Sequence, residues 1–240
     1  MRNLRRGITF ALSAAATACA MFYSIPQTLA QNPALQEKIA DIKQSSAANK
    51  QALAHYTWVE QQTISLKGQV KKTQQFQVQI GPDGQQQKTE INPQAPPQPS
   101  GGRLRQHVVA KKTDEFEAYG QQIAALGKQY AQLDMQALQQ AYQQGNVSMQ
   151  PNGAGGTVSL IIKSYLKPND SVTLVFSEQQ KAIQSVQVAS YLTDPSDAVT
   201  IAVQFAKLPD GTNHVATMQV NGVSKQMGVV TQNSMYQPLP

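Results

Sequence analysis

The sequence predicts an α+β protein in which one antiparallel sheet of about nine strands packs its apolar face against two helical regions. Three observations predict this fold class. Apolar and polar residues alternate in many short segments, which is the period of a half-buried strand. Turn residues separate these segments at spacings of roughly 8 to 12 residues. Two other segments repeat their apolar residues every three or four positions, as amphipathic helices do.

The chain begins with the pattern of a secretory signal peptide over residues 1–30. Three arginines precede an apolar, alanine-rich run from Ile8 to Tyr23, which is short for a membrane span. Thr28 and Ala30 supply the small residues that a signal peptidase prefers. We therefore expect a periplasmic protein whose mature chain starts at Gln31. An uncleaved anchor helix is the alternative.

The cysteine count narrows the possible chemistry. Cys19 is the single cysteine, and Ala16 stands where a lipidation motif has a larger aliphatic residue, so lipid anchoring at Cys19 is the less favoured interpretation. A chain cleaved after Ala30 has no cysteine at all. Disulfides, thiol nucleophiles and thiolate metal sites are then excluded.

The net charge is modest once the signal segment is set aside. Without its three arginines the chain has seventeen basic and fourteen acidic residues, a net charge of +3. The basic residues are scattered and no aromatic residues lie between them. This pattern does not favour nucleic acid as a partner.

The first half of the mature chain predicts a helix followed by a meander of strands. Asn32 and Pro33 suit a helix start, and the apolar stripe that follows predicts a helix from about Pro33 to Ala52. Alternation then predicts a strand that ends at Gly68, a second strand through Phe76, and a third strand from about Gln85 to Ile91.

A helical insertion separates this meander from the remaining strands. Residues 92–102 form a Pro-rich linker, and residues 103–146 carry the longest helical pattern in the chain. Gly120 and Gly127 interrupt this pattern, so it predicts either two helices or one bent helix. Gly145 is expected to end it.

The second half of the chain predicts about six more antiparallel strands, beginning at Val158. Residues 151–156 are expected to form a loop before them. Asn221 and Gly222 form a typical two-residue hairpin turn, and the sequence places it between the last two strands.

No pattern in the chain indicates catalysis. His55, His107 and His214 are the three histidines, and none has a second ligand at a metal-binding spacing. The sequence also lacks a nucleophile elbow of the G-x-S-x-G type. We expect a protein without catalytic residues, metal or cofactor, and rank a hydrolase as the weakest of three hypotheses.

The residues expected to face the helices are the candidate ligand site. A lipid chain gains about 0.8 kcal/mol per buried CH2, so an apolar hollow needs no specific polar contact to hold one. The alternative is that these side chains form an ordinary core. The candidate lining residues are Tyr56, Trp58, Phe76, Val78, Leu174, Phe176, Val203 and Phe205.

The order of elements resembles a known family. A signal peptide and a helix precede a strand that opens with Tyr56-Thr57-Trp58; later strands contain Leu208-Pro209-Asp210-Gly211, and the chain ends near Met235-Tyr236. This order resembles the periplasmic outer-membrane lipoprotein carrier and lipoprotein-sorting (LolA-like) superfamily. The resemblance implies a single domain over residues 31–240, a curved, unclosed antiparallel β-barrel with helices as a lid, and acyl chains bound in its concave interior.

Two functional hypotheses therefore lead. The first is a periplasmic binding or carrier protein for a lipid-like or lipoprotein acyl ligand, with lipid or an acylated protein as partner and only transient membrane contact. The second is a non-enzymatic envelope module that docks a protein partner through the Gln-rich helical insertion.

Overall fold

A computed structural model describes residues 32–91, 93, 103–153 and 156–239, with residues 103–110 as backbone only. The expected signal peptide with Cys19, and the expected linker apart from Pro93, lie outside the described residues. The helices are α1 (Pro33–Leu53), α2 (Arg103–Ala131) and α3 (Met135–Gln143). The strands are β1 (Tyr56–Leu66), β2 (Gln69–Ile80), β3 (Gln86–Ile91), β4 (Val147–Pro151), β5 (Thr157–Lys163), β6 (Ser171–Ser177), β7 (Ala182–Tyr191), β8 (Ala198–Lys207), β9 (Asn213–Gly222) and β10 (Met227–Pro238).

Side-chain caps define where the helices begin. The Asn32 side chain accepts a hydrogen bond from the Ala34 N–H at 3.1 Å, and the prediction of α1 is confirmed. Asp134 caps α3 in the same way, accepting from the Gln136 N–H at 2.8 Å. The insertion is therefore two helices. They separate at the Asp134 cap, and Gly120 and Gly127 both lie inside α2.

The strands form one antiparallel sheet of ten in the order β3-β2-β1-β10-β9-β8-β7-β6-β5-β4. Strands that follow one another in sequence pair with each other, except that β3 and β4 lie at opposite edges of the sheet and β1 pairs with β10. The helical insertion thus joins two meanders whose outer strands, β3 and β4, are the edges of an open sheet. The predicted α+β class is confirmed, with ten strands where about nine were expected.

The strand that the sequence did not predict is β4. It is only five residues long and begins two residues after Gly145, whose φ of +75° ends the helical region. Only Val147 and Met149 alternate towards the core, which is too short a pattern to recognise. Of the loop expected at residues 151–156, Pro151 is the last residue of β4. The others connect β4 to β5, and residues 154–155 lie outside the described range.

The predicted turn at Asn221 and Gly222 is wrong in position. The hairpin exists, but both residues belong to β9 and pair with β8 and β10; the turn lies between Gly222 and Met227. Gly222 is needed for a different reason. A Cβ atom there would lie 2.6 Å from Cε1 of Tyr119 on α2, so the glycine lets this helix approach the sheet.

One face of the sheet and the inner sides of the helices form the core. Alternate residues of β5 to β10 are almost all aliphatic on this face and are buried. Each of the helices contributes to the same cluster, for example through Ile42, Ile123 and Leu138, all of which are fully buried. The opposite face carries mainly uncharged polar residues and is open to solvent.

Helix contacts show that the sheet is curved around α2. Lys128 lies close enough to Lys88 on β3 to lower the pKa of that lysine. Tyr130, two residues further on, bonds Ser190 on β7 at 2.8 Å. Those strands are six steps apart in the sheet, which is about 29 Å when flat, whereas a helix with its side chains is about 10–12 Å across. Only a curved sheet lets both contacts form, and we call its helix-facing side the concave face.

Candidate ligand-binding face

The eight predicted lining residues divide into two groups on the concave face. Leu174, Phe176 and Val203 belong to the core beneath the helices, and Phe205 is half-buried against it. The other four lie on β1 and β2, on the far side of β9 and β10. The predicted residues therefore belong to one continuous face, and the structure does not gather them around a single pocket.

The β1 and β2 group combines aromatic contacts with buried polar atoms. Trp58 is 1% exposed and stacks on Tyr236, with ring centroids 5.4 Å apart. Val78 is its cross-strand neighbour. Phe76 is half-buried, and Tyr56 lies at the margin, where its hydroxyl donates to Asp210 Oδ2 at 2.6 Å. The Trp58 indole N–H has no acceptor among the described residues.

A buried ion pair lies beside this tryptophan. Glu60, two residues along β1, is 4% exposed and is bound by the Lys88 ammonium. Burial lowers the pKa of Lys88 to about 8; Glu60 opposes this change, and the nearby Lys128 ammonium adds to it. Desolvation of Lys88 thus outweighs the attraction of its partner, as it can for a buried pair.

Two further buried atoms next to this pair lack hydrogen-bond partners. Asn233 lies opposite Glu60 in the β1–β10 pairing, and Thr231 follows on the same face. Neither Asn233 Oδ1 nor Thr231 Oγ1 makes a hydrogen bond within the part of the chain that the structure describes. A buried polar atom without a partner typically costs about 1–3 kcal/mol, so a group of such atoms requires an explanation and makes this region a candidate binding site.

We call this group the polar cluster: Trp58, Glu60, Lys88, Lys128, Thr231 and Asn233. Sequence reasoning named only its tryptophan. One signal was available: Glu60 occupies an inward position in the alternation of β1, and a charge at such a position requires a partner. Its partners are distant along the chain and could not be identified by spacing.

Helix α1 covers Phe176 and is attached to the sheet by polar contacts near both ends. Lys38 binds Glu178 at 2.7 Å and lies 5.9 Å from the Phe176 ring centroid; the hydrogen bond to Glu178 is the largest of the effects that raise the pKa of Lys38. Near the other end, the Asn49 side chain makes two hydrogen bonds of 2.6 Å to the backbone of Asn213.

Helices α2 and α3 are also attached through polar groups. The Tyr119 hydroxyl on α2 donates to Asp197 Oδ1 at 2.9 Å, and Tyr130 donates to Asp170 Oδ2 at 2.5 Å. Burial raises the pKa of Tyr130 above its usual range, so this hydroxyl remains a donor. The start of α3 is held by the Tyr165 hydroxyl, which accepts from the Asp134 N–H at 2.7 Å.

Two open grooves flank α3. A groove of about 650 Å³ separates α3 from α1 and reaches the core residue Ile39. A second groove, of about 450 Å³, lies between α3 and the loop that carries Tyr165. The first groove thus leads from solvent to the inner side of α1 at Ile39.

The His214 ring lies against Tyr236 and Nδ1 is 3.1 Å from the Val215 carbonyl oxygen. No group of three or more His, Cys, Asp or Glu side chains among the described residues could hold a metal ion. None of the helices in this described part of the chain has the length and hydropathy needed to cross a bilayer.

The fold and the site define a class of protein in which a curved, open antiparallel sheet carries helices on its concave face. No family model and no curated protein matches the chain. Among solved structures, it is similar to a DUF1329 family protein from Desulfovibrio piger. The identity is 11% and the TM-score 0.43, over 85% of this chain and 92% of that chain.

Proposed function

We propose that this chain is a periplasmic binding protein that holds a lipid-like or lipoprotein acyl ligand on the concave face of its sheet, beneath the helices. The supporting observation is the continuous apolar surface of β5 to β10 beneath the three helices, on part of which α1 is held by few buried apolar side chains and two sets of polar contacts. The LolA-like order of elements in the sequence favours the same function, and the signal-peptide pattern favours periplasmic export.

An acyl chain can replace α1 at comparable free energy. Helix α1 buries three side chains, Leu35, Ile39 and Ile42, which together contribute about 4.5–9 kcal/mol at about 1.5–3 kcal/mol each. An acyl chain of about fourteen methylenes gains about 11 kcal/mol on burial. Leu174 and Phe176 are both fully buried, so in this proposal the ligand enters as α1 moves away from the sheet.

Locking α1 onto the sheet should abolish ligand uptake. The variant carries Lys38→Cys and Glu178→Cys in the full chain with Cys19→Ser. A bifunctional methanethiosulfonate reagent joins the two new thiols through disulfide bonds, which a reductant cleaves. We expect uptake of a fluorescent fatty acid to fall more than tenfold when the protein is cross-linked and to recover after reduction.

A matched control joins two residues that do not hold a helix. Gln61 and Gln75 lie on the opposite face of β1 and β2, with a hydrogen bond of 3.1 Å between their side chains. The same cross-link there should leave uptake unchanged. Uptake at the uncross-linked rate by the α1-locked protein would refute entry beneath α1, and absence of any uptake by the unmodified chain would refute the proposed function.

The second candidate function is docking of an envelope protein through the insertion. The exposed side of α3 favours it, since this side is formed by glutamines between the two open grooves. A photo-cross-linking amino acid at Gln140, which borders both grooves, should then capture a defined envelope protein. The same amino acid at Gln187, exposed on the opposite face of the sheet, should capture none; equal capture at both positions would exclude this candidate.

A further inference from the structure

We propose that the polar cluster binds the acid group of an anionic amphiphile whose hydrocarbon part lies on the apolar concave face. This inference rests on the proposed function and specifies the chemistry of its ligand. The observation that carries it is the group of buried polar atoms on β1 and β10 that have no partner among the described residues, beside an ion pair with a second lysine next to it.

The cluster offers donors for an oxyanion. The Trp58 N–H and the Thr231 hydroxyl can each donate one hydrogen bond, and neither does so to the described residues. Lys88 and Lys128 add ammonium groups. Hydrogen bonds to a charged acceptor are about twice as strong as neutral ones, so carboxylate or phosphate oxygens suit these donors better than a neutral ester does.

The local charge also favours an anion. Glu60 is the one carboxylate that binds Lys88, and Lys128 makes no ion pair within the described residues. The other acids nearby are engaged elsewhere: Glu90 accepts from Gln74 at 2.8 Å, and Glu117 lies 3.7 Å from Lys72. Glu90 keeps its negative charge in that bond, but no ion pair joins it to either lysine among the described residues. Inside the polar cluster two ammonium groups therefore share one carboxylate, and the bound acid supplies a second negative charge.

The position of the cluster suits an amphiphile. Lys88 belongs to the edge strand β3, and its side chain is 18% exposed, so a headgroup reaches it from solvent. In the other direction the same face continues through β9 and β8 into aliphatic residues. Asn233 Oδ1 can accept a hydrogen bond from a headgroup hydroxyl, as phosphatidylglycerol would provide.

The test measures binding of short-chain lipids below their micelle concentration by isothermal titration calorimetry. The probes are dihexanoyl phosphatidylglycerol, laurate and neutral dihexanoylglycerol. In the full chain, Thr231→Val and Lys128→Gln should each weaken binding of both acids about tenfold and leave binding of dihexanoylglycerol unchanged. Lys72→Gln is the matched control, because Lys72 lies on the same face but pairs with Glu117.

Stability separates a binding role from a structural one. Thr231→Val removes a buried hydroxyl that has no partner in the described part of the chain, so the ligand-free variant should be as stable as the parent or more stable. Loss of acid binding without loss of stability supports the proposal, and weakening of only one acid identifies the group that is recognised. Equal affinity for the acids and dihexanoylglycerol would overturn it while leaving the proposed function intact. Absence of binding for every probe would refute both.

Discussion

Replacing Asp170 with alanine should lower the free energy of unfolding by about 4 kcal/mol, because four donors lose one buried acceptor. Its carboxylate accepts from the backbone N–H groups of Tyr165, Leu166 and Lys167 and from the Tyr130 hydroxyl, at 2.5–3.0 Å. Asp170 is 2% exposed, so water cannot replace it without rearrangement. Urea unfolding followed by circular dichroism measures the loss of unfolding free energy. In thermal unfolding the Tm should fall by about 8–16 °C.

Two variants show that the effect comes from buried donors. Asp170→Asn keeps an acceptor oxygen and should be less destabilising than Asp170→Ala. Asp194→Ala removes an exposed turn carboxylate that accepts from the Ser196 N–H at 2.9 Å, and its effect should be much smaller. A loss below about 1 kcal/mol for Asp170→Ala would contradict this account of the loop.

Replacing Gly222 with alanine should destabilise the protein by about 2 kcal/mol, since the new methyl group overlaps the Tyr119 ring. The added Cβ would lie 2.6 Å from Cε1 and 2.8 Å from Cζ of that ring. The ring cannot move easily, because its hydroxyl is held by Asp197 and lies 3.2 Å from Ser224 Oγ. Urea unfolding again provides the measurement.

A double-mutant cycle tests the cause of this loss. In a Tyr119→Leu background the overlap is removed, so Gly222→Ala should cost less than about 0.5 kcal/mol. Asn221→Ala, one residue away with its side chain on the opposite face, serves as the control and should have little effect. Additive costs in the cycle would show that the helix contact is not what requires glycine.

Local periodicity was sufficient to predict the helices and most of the strands. Leu35, Ile39 and Ile42 face the sheet as their spacing indicates, because a helix brings residues three and four positions apart onto one side. The same reasoning failed for β4, which is too short to show a period. It also failed at Gly222, where the requirement for glycine comes from a helix distant along the chain.

The candidate site was only partly predictable for a related reason. Trp58 was expected on the concave face and lies there. Asn233 could not be recognised, since β1 meets β2 on one side and the last strand on the other, and no local pattern specifies the second pairing. Lys88 lies on the predicted third strand, but it meets Glu60 across β2, two strands away. Alternation of apolar and polar residues determines which side of the sheet a residue faces. It does not determine which strand lies beside it.

By itself the sequence determined an α+β fold with a one-faced antiparallel sheet and helices to cover it, because hydrophobic periods act within each segment. Tertiary structure alone decided that β1 pairs with β10, that α2 is the helix around which the sheet curves, and that Glu60 meets Lys88 beside buried donors without a partner among the described residues. These features depend on contacts between segments far apart in the chain, where closing the chain and burying polar groups outweigh local preference.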